Sequence, residues 1–321
     1  MSTKSLENEQ KYTSMGLIAV VIWSFAALLA CEITSIPPFE FLSCQFTLAF
    51  LVTIVRYSLS NEKKTFFNFT KKDLVIAALT LIVNQACYYS AFRYSPAAQV
   101  DLINYLWPTL LILLSSLLPK EKFCIAYFFS CCVCMWGVYN LMPSEGLLDL
   151  SYDALFGLIL AFMAAISWTL YSLYTRYHKS SSANCISCAT GLAALFSIVL
   201  HLHNETFVVP SFFEMTIICI IGVIQTGLAF YFWESALKKG KVKFIGLSAY
   251  SIPVFSILIL VVFGRAEFSN QIVTATLAIS FAPILPLLKA LLLKFREEKA
   301  VPAKEKISPL LQLEKKKYSY S

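Results

Sequence analysis

The sequence predicts an all-α polytopic membrane protein in which ten transmembrane helices form two inverted five-helix repeats. Three observations carry the prediction. The 321-residue chain is 58% hydrophobic and 14% charged, with a mean hydropathy of +0.69, whereas soluble domains are roughly 45–50% apolar and 25% charged. Its apolar residues come in long blocks separated by short charged clusters rather than in amphipathic stripes. A constant offset of 145 residues then lays one half on the other without a gap: Trp23 meets Trp168, Ser90 meets Ser235, Ala91 meets Ala236, Leu102 meets Leu247, Tyr105 meets Tyr250 and Pro108 meets Pro253. Each copy holds five spans, and an odd number sets the two copies in opposite orientations across the bilayer.

Each span needs about 20 mostly apolar residues. The first twelve residues, MSTKSLENEQKY, are polar, so no cleaved signal peptide is expected. Span 1 is predicted over 13–33, and Glu32 and Glu40 flank the short connection to span 2 over 39–57. A loop with five basic residues, 56–72, leads to span 3 over 73–92, and Arg93 precedes span 4 over 97–118. Lys120 and Lys122 separate it from span 5 over 123–142. Glu145, Asp149 and Asp153 mark the connection to span 6 over 153–175, and the basic stretch 176–179 leads to span 7 over 184–203. Glu205 and Glu214 bound the link to span 8 over 213–236; four lysines in 238–243 precede span 9 over 244–264, and Arg265 precedes span 10 over 270–290. The predicted organisation is thus an N-terminal tail (1–12), a first repeat (13–142), a second repeat (153–290) and a basic, disordered tail (291–321).

Twenty-four of the 26 Lys and Arg residues fall on the side that holds both termini, and only Arg93 and Arg265 fall on the other. Positive residues stay cytoplasmic, so both termini are expected there. The net charge of +7 resides in these loops and in the tail, where it would meet lipid headgroups rather than nucleic acid.

Several chemistries have no sequence support. No GxxxxGK[ST] loop is present to cradle ATP phosphates, and neither HExxH nor GxSxG occurs. The three histidines (178, 201, 203) sit at span edges, and the ten cysteines mostly fall inside apolar blocks, as small hydrophobes do. Cys185-x-x-Cys188 is a lone match without the second pair a zinc site needs. The chain is therefore expected to be neither an enzyme nor a binder of metal or cofactor. Its expected partners are the bilayer and a small amino-acid-like substrate, in a monomer or weak homodimer.

The densest polar segment is Asp101-Leu-Ile-Asn104-Tyr105-Leu-Trp107-Pro108 in span 4. Asp101, Asn104, Tyr105 and Pro108 follow helical spacing on one face. A carboxylate within a span is expensive unless it faces a cavity or a partner, and Pro108 withdraws one backbone donor and loosens the helix. Asp101 is expected to hold a cationic group, Asn104 with Gln85 of span 3 to bond a carboxylate or ring edge, and the aromatics to stack: Tyr89, Tyr105, Trp107, Trp168, Tyr171 and Tyr250. The plain alternative for Asp101, about one turn from the outer edge, is hydration or pairing with Arg93. Trp23 and Trp168 could equally be interface anchors. Span 8 carries Gln225, Tyr231, Trp233 and Glu234, the last being spaced to pair with Lys238.

The strings GLIAVVIWSF (16–25), QVDLINYLWPTL (99–110), ISWTLYSLYTRY (166–177) and SAYSIPV (248–254) resemble the drug/metabolite transporter superfamily, in particular its EamA-type ten-span members, over about 15–290. That resemblance implies an inverted-repeat basket, a central cavity lined by spans 1, 3, 4, 6, 8 and 9, and alternating access. NYLWP is particularly similar to the aromatic amino-acid exporters of the superfamily, which also contains carriers that exchange S-adenosylmethionine for S-adenosylhomocysteine. Both substrates join an α-amino-acid head to a flat ring. With Asp101 suited to a sulfonium, the favoured expectation is S-adenosylmethionine uptake by exchange across a bacterial inner membrane. The alternative is export of aromatic or other amino acids. Phosphorylated substrates would need Lys or Arg within the spans, and the spans contain almost none.

Overall fold

The computed structural model describes residues 3–60, 63–116, 125–141, 151–177, 184–282 and 284. Among these, every regular element is a helix, as a chain in lipid requires to satisfy its backbone internally. The predicted ends of spans 4, 5 and 10, the 142–150 connection and the 291–321 tail lie outside the described residues.

Span 1 is Thr3–Trp23 followed by Ala26–Cys31; span 2 is Pro38–Leu59; span 3 is Lys71–Ala91. Span 4 is Ala97–Asn104 and Trp107–Ser116, and span 5 is Ile125–Tyr139. Span 6 is Tyr152–Tyr177 and span 7 is Cys185–Asn204. Span 8 comprises Phe212–Cys219, a π-helical stretch Ile220–Leu228, and Ala229–Lys239. Span 9 is Val242–Ala249 and Ile252–Val262, and span 10 is Asn270–Phe281. The helix of span 1 begins ten residues before the predicted apolar edge, at Thr3. Lys, Glu and Gln in that segment are good helix formers and simply extend a helix already nucleated.

Packing repeats with the sequence. Span 1 packs on span 8 as span 6 packs on span 3; span 2 packs on span 8 as span 7 packs on span 3. Spans 2 and 7 pack on each other, as do spans 5 and 10. Exchanging the halves therefore maps these pairings onto one another, as two repeats around a common axis should. The molecule is a multi-pass membrane protein of ten spans in two inverted five-helix repeats. Apolar side chains such as Leu51, Val55, Phe129, Leu195, Val199 and Val262 face outward, where lipid would cover them.

Helix starts follow local chemistry. Thr70 and Asp73 form a capping box at span 3, and Ser211 and Glu214 form one at span 8. Pro38 takes the first turn of span 2, where its missing N–H has no helical partner to lose. Spans 2 and 8 approach closely because Gly222 has no side chain: a Cβ there would meet Leu48 Cβ at 2.8 Å and the Gln45 carbonyl at 3.0 Å.

Four breaks shape the centre, the first at Ser24–Phe25 of span 1. Span 4 opens into a turn at Tyr105–Leu106 and span 9 at Tyr250–Ser251, the same place in each repeat. The helix resumes with Pro108 or Pro253 in its first turn, so the break lies just upstream of each proline. In span 8, the π stretch contains Gly222 and Gly227 and displaces Gln225 and Thr226 from α-helical register.

Candidate functional site

At the centre, a cavity with about 840 Å³ of empty space, its open mouth included, lies among spans 1, 3, 4, 6, 8 and 9. Span 1 contributes Trp23 and Ala26; span 3 contributes Asn84, Gln85, Tyr88 and Tyr89; span 4 contributes Asn104, Tyr105 and Trp107. From the second repeat come Trp168, Gln225, Thr226, Phe230, Trp233, Ala249 and Ile252. Half of these sixteen residues are aromatic, four of them Trp, and none is charged. The cavity thus offers ring faces and amide edges, with no fixed charge on its walls.

The 145-residue offset is visible in the wall itself. Trp23 and Trp168, Gln85 and Phe230, Tyr88 and Trp233, Asn104 and Ala249, and Trp107 and Ile252 are repeat mates, and both members of every pair line the cavity. The repeats have diverged in character. The first supplies Gln85, Tyr88 and Asn104 where the second supplies Phe230, Trp233 and Ala249. At these positions the first repeat is the more polar, and the cavity as a whole offers both amides and aromatic rings.

The rings form a continuous ladder. Trp233 and Trp23 lie 5.3 Å apart, Trp23 and Phe230 5.6 Å apart edge to face, and Phe230 stacks on Trp168 at 5.7 Å with an interplanar angle of 27°. Trp23 Nε1 donates to the Gln225 carbonyl at 3.2 Å, which ties the ladder to the π stretch. Local back-bonding orients both Trp anchors. Ser24 Oγ donates to the Val20 carbonyl at 2.9 Å, and its repeat mate Thr169 donates to Ala165 at 2.8 Å. Thr169 also reaches the Trp107 carbonyl at 3.1 Å and joins span 6 to the broken span 4.

Behind the lining runs an amide chain. Gln45 of span 2, fully buried, donates to Thr226 Oγ1 at 2.8 Å and to Gln85 Oε1 at 3.0 Å. Gln85 Nε2 donates to Asn84 Oδ1 at 2.8 Å, and Asn84 Nδ2 donates to the Ala164 carbonyl at 2.9 Å. The chain crosses from span 8 through spans 2 and 3 to span 6, so it fixes the cavity amides against both repeats.

Of the residues singled out from sequence, Gln85, Tyr89, Asn104, Tyr105, Trp107 and Trp168 line the cavity. Asp101, Tyr171 and Tyr250 are not among the lining residues. Tyr171 is buried with its ring 5.8 Å from Trp168, and Tyr250 occupies the break of span 9 near Cys134 of span 5. Asp101 is fully buried behind the wall, where its Oδ1 accepts from Tyr88 Oη at 3.1 Å. Although it lies in the same helix as Asn104, its side chain is taken up by Tyr88 and is not among the lining residues, whereas Asn104 and Tyr105 line the cavity. Nor is it hydrated or paired with Arg93, which is exposed. Glu234 stands within electrostatic reach of Arg56, and the Lys238 side chain is outside the described set. Ala26, Thr226, Phe230, Ala249 and Ile252 are the lining residues that polarity alone did not single out. The repeat offset marks three of them, Phe230, Ala249 and Ile252, as mates of polar or aromatic residues in the first half.

Ten spans in two like-built halves, with an uncharged cavity between them and no catalytic constellation in it, define a membrane transporter. The sequence pattern of the EamA-like transporter family matches residues 10–142 and 152–288. The chain belongs to that family; it is a transporter and not an enzyme. It is 27% identical over 264 residues to the aromatic amino acid exporter YddG of Ancylobacter novellus, covering 82% of this chain and 92% of that protein. It is 25% identical to the YddG exporter of Salmonella typhimurium, covering 77% of this chain and 86% of that one. An uncharacterised transporter of Bacillus subtilis, YxxF, is 23% identical over 81% of this chain and 84% of its own. A solved crystal structure at 27% identity superposes with a TM-score of 0.69, covering 89% of this chain and 99% of the other.

Proposed function

We propose that this protein exports aromatic amino acids by alternating access across a bacterial inner membrane, with both termini in the cytoplasm. The observation that carries the reading is the cavity lining: amides together with a ladder of Trp and Phe, and no charged residue. A zwitterionic amino acid needs no net counter-charge. Asn84, Gln85 and Asn104 can meet its carboxylate and ammonium, while Trp23, Trp168 and Phe230 take the ring at the ~4.5–7 Å centroid spacing aromatic pairs prefer. Two relatives bear the name of aromatic amino acid exporters, which supports this reading over S-adenosylmethionine uptake. The carboxylate the sequence offered to a sulfonium, Asp101, is walled off by Tyr88 and does not line the cavity.

Counterflow in proteoliposomes of the full chain separates the two. Labelled phenylalanine or tryptophan entering vesicles preloaded with the same amino acid, without competition from S-adenosylmethionine, is the expected result. Saturable S-adenosylmethionine uptake that needs S-adenosylhomocysteine inside and ignores both amino acids would reverse the assignment.

A further inference from the structure

Asp101 is a carboxyl group with no role in the wall and a costly location. It is 0% exposed in the middle of spans 1, 3, 4 and 9. Its Oδ1 is held by the Tyr88 hydroxyl, while Oδ2 has no hydrogen-bond partner among the described residues. Beside the carboxyl lies the buried Ser256 hydroxyl of span 9, within reach to hydrogen-bond it. The groups that face it are Cys31 from span 1, Tyr88 from span 3, Tyr105 from its own span and Ser256 from span 9. Arg265, beyond the end of span 9, is bound to Glu32 at the end of span 1. Spans 5, 6 and 10 also pack on this part of span 4, and among the described residues they bring no charged partner to Asp101. Its repeat mate is Gly246, so only one half carries an acid here.

An ionised carboxylate in this place would have the Tyr88 and Ser256 hydroxyls as donors but, among the described residues, no cation to offset its burial. A proton on Oδ2 removes the charge and supplies the donor that the adjacent serine hydroxyl can accept. The one bonded link from this carboxyl to the cavity is Tyr88, whose ring lines the cavity and whose hydroxyl bonds Oδ1. A cationic ammonium placed against that wall acts on the carboxyl through a low-dielectric layer one side chain thick and favours the ionised form.

We propose that Asp101 is the proton site of this transporter. It takes a proton from the outer side, past Cys31 and the Glu32–Arg265 pair, while the cavity is empty. It gives that proton up when a substrate ammonium occupies the cavity beside Tyr88. Proton and substrate then exclude one another, which is the thermodynamic condition for antiport, and one proton enters for each substrate molecule that leaves. No bond other than O–H of the carboxyl is made or broken. The proposal rests on the amino-acid export reading above.

Linkage makes the effect reciprocal: if substrate expels the proton, the proton weakens substrate binding by the same factor. With one proton exchanged, the apparent Kd for phenylalanine rises about tenfold for each unit the pH falls, over the range in which Asp101 is protonated in the free protein and ionised in the substrate-bound one.

The test uses the full chain, first in weakly buffered detergent with a pH indicator and labelled phenylalanine, then in proteoliposomes with an internal pH dye. The wild type is expected to release protons on binding phenylalanine, to bind it more weakly as the medium is acidified, and to accumulate it against a gradient under an imposed pH difference. Asp101→Asn should bind with a pH-independent affinity, release no proton and lose accumulation driven by the pH difference, and Asp101→Glu should restore all three. Proton release by Asp101→Asn equal to that of the wild type would overturn the proposal. So would an Asp101→Asn protein that inserts normally and binds no phenylalanine, since that result makes Asp101 a direct holder of substrate. Wild-type protein that binds phenylalanine without proton release removes the proton site and leaves the export reading intact, whereas absence of phenylalanine binding at every pH removes the export reading itself.

Discussion

Gln45 is the residue whose replacement separates positioning from folding. Its single Nε2 donates to Gln85 Oε1 at 3.0 Å and to Thr226 Oγ1 at 2.8 Å, and its own Oε1 is buried without a partner among the described residues. Gln45→Met keeps the length and volume of the side chain and removes the amide. Interhelical hydrogen bonds within membranes average about 0.6 kcal/mol, so losing two costs about 1.2 kcal/mol. Removing the orphaned carbonyl oxygen offsets about 1 kcal/mol of that. The fold should therefore change by well under about 1 kcal/mol. Gln85 is affected differently. Released from its anchor, its amide regains rotameric freedom that substrate binding must again remove, at about 1 kcal/mol, which is about fivefold in affinity. The assay is the concentration dependence of phenylalanine counterflow, paired with thermal unfolding in detergent. A fivefold rise in KM with an almost unchanged Tm is the expected outcome. An unchanged KM would show that Gln85 holds its pose without Gln45, and a collapse in Tm would make Gln45 a structural strut; either result refutes the reasoning.

Three further outcomes are open to direct measurement. Asn104→Ala removes the cavity amide at the end of the first half of span 4 and should abolish transport below saturation while membrane insertion stays normal; normal flux at low substrate would remove Asn104 from the site. Gly222→Val places a side chain against Leu48 and the Gln45 carbonyl, so spans 2 and 8 must separate at a cost of about 1–3 kcal/mol, read as a lower Tm in detergent, whereas Gly222→Ala should show a smaller drop in the same direction. Trp168→Ala deletes the ring stacked on Phe230, a contact worth about 0.5–1.5 kcal/mol beyond the area it buries. Substrate affinity should fall at least threefold, with Trp168→Phe keeping most of it; equal affinities in all three proteins would place the substrate ring elsewhere.

Much of this architecture is written in the chain because a bilayer enforces simple rules. Long apolar blocks must become helices that satisfy their own backbone, and an unbroken offset of 145 residues between Trp23–Pro108 and Trp168–Pro253 must mean two like units. Within a span, polar and aromatic residues stand out against an apolar background, which is how Gln85, Asn104, Tyr105 and Trp168 could be chosen without coordinates. What the sequence could not decide is which way a side chain faces once the helices pack together. Helical spacing puts Asp101 on one face with Asn104, yet packing against Tyr88 of span 3 leaves Asp101 sealed away while Asn104 lines the cavity. Phe230 and Ala249 carry no chemistry that marks them, and they enter the site only because the second repeat folds back against the first. The π stretch in span 8 and the amide chain through Gln45 arise from contacts between residues up to 181 positions apart. Local composition specifies spans and their number; the facing of each wall, and the burial that turns one carboxyl from a ligand into a gatekept acid, come from packing between distant parts of the chain.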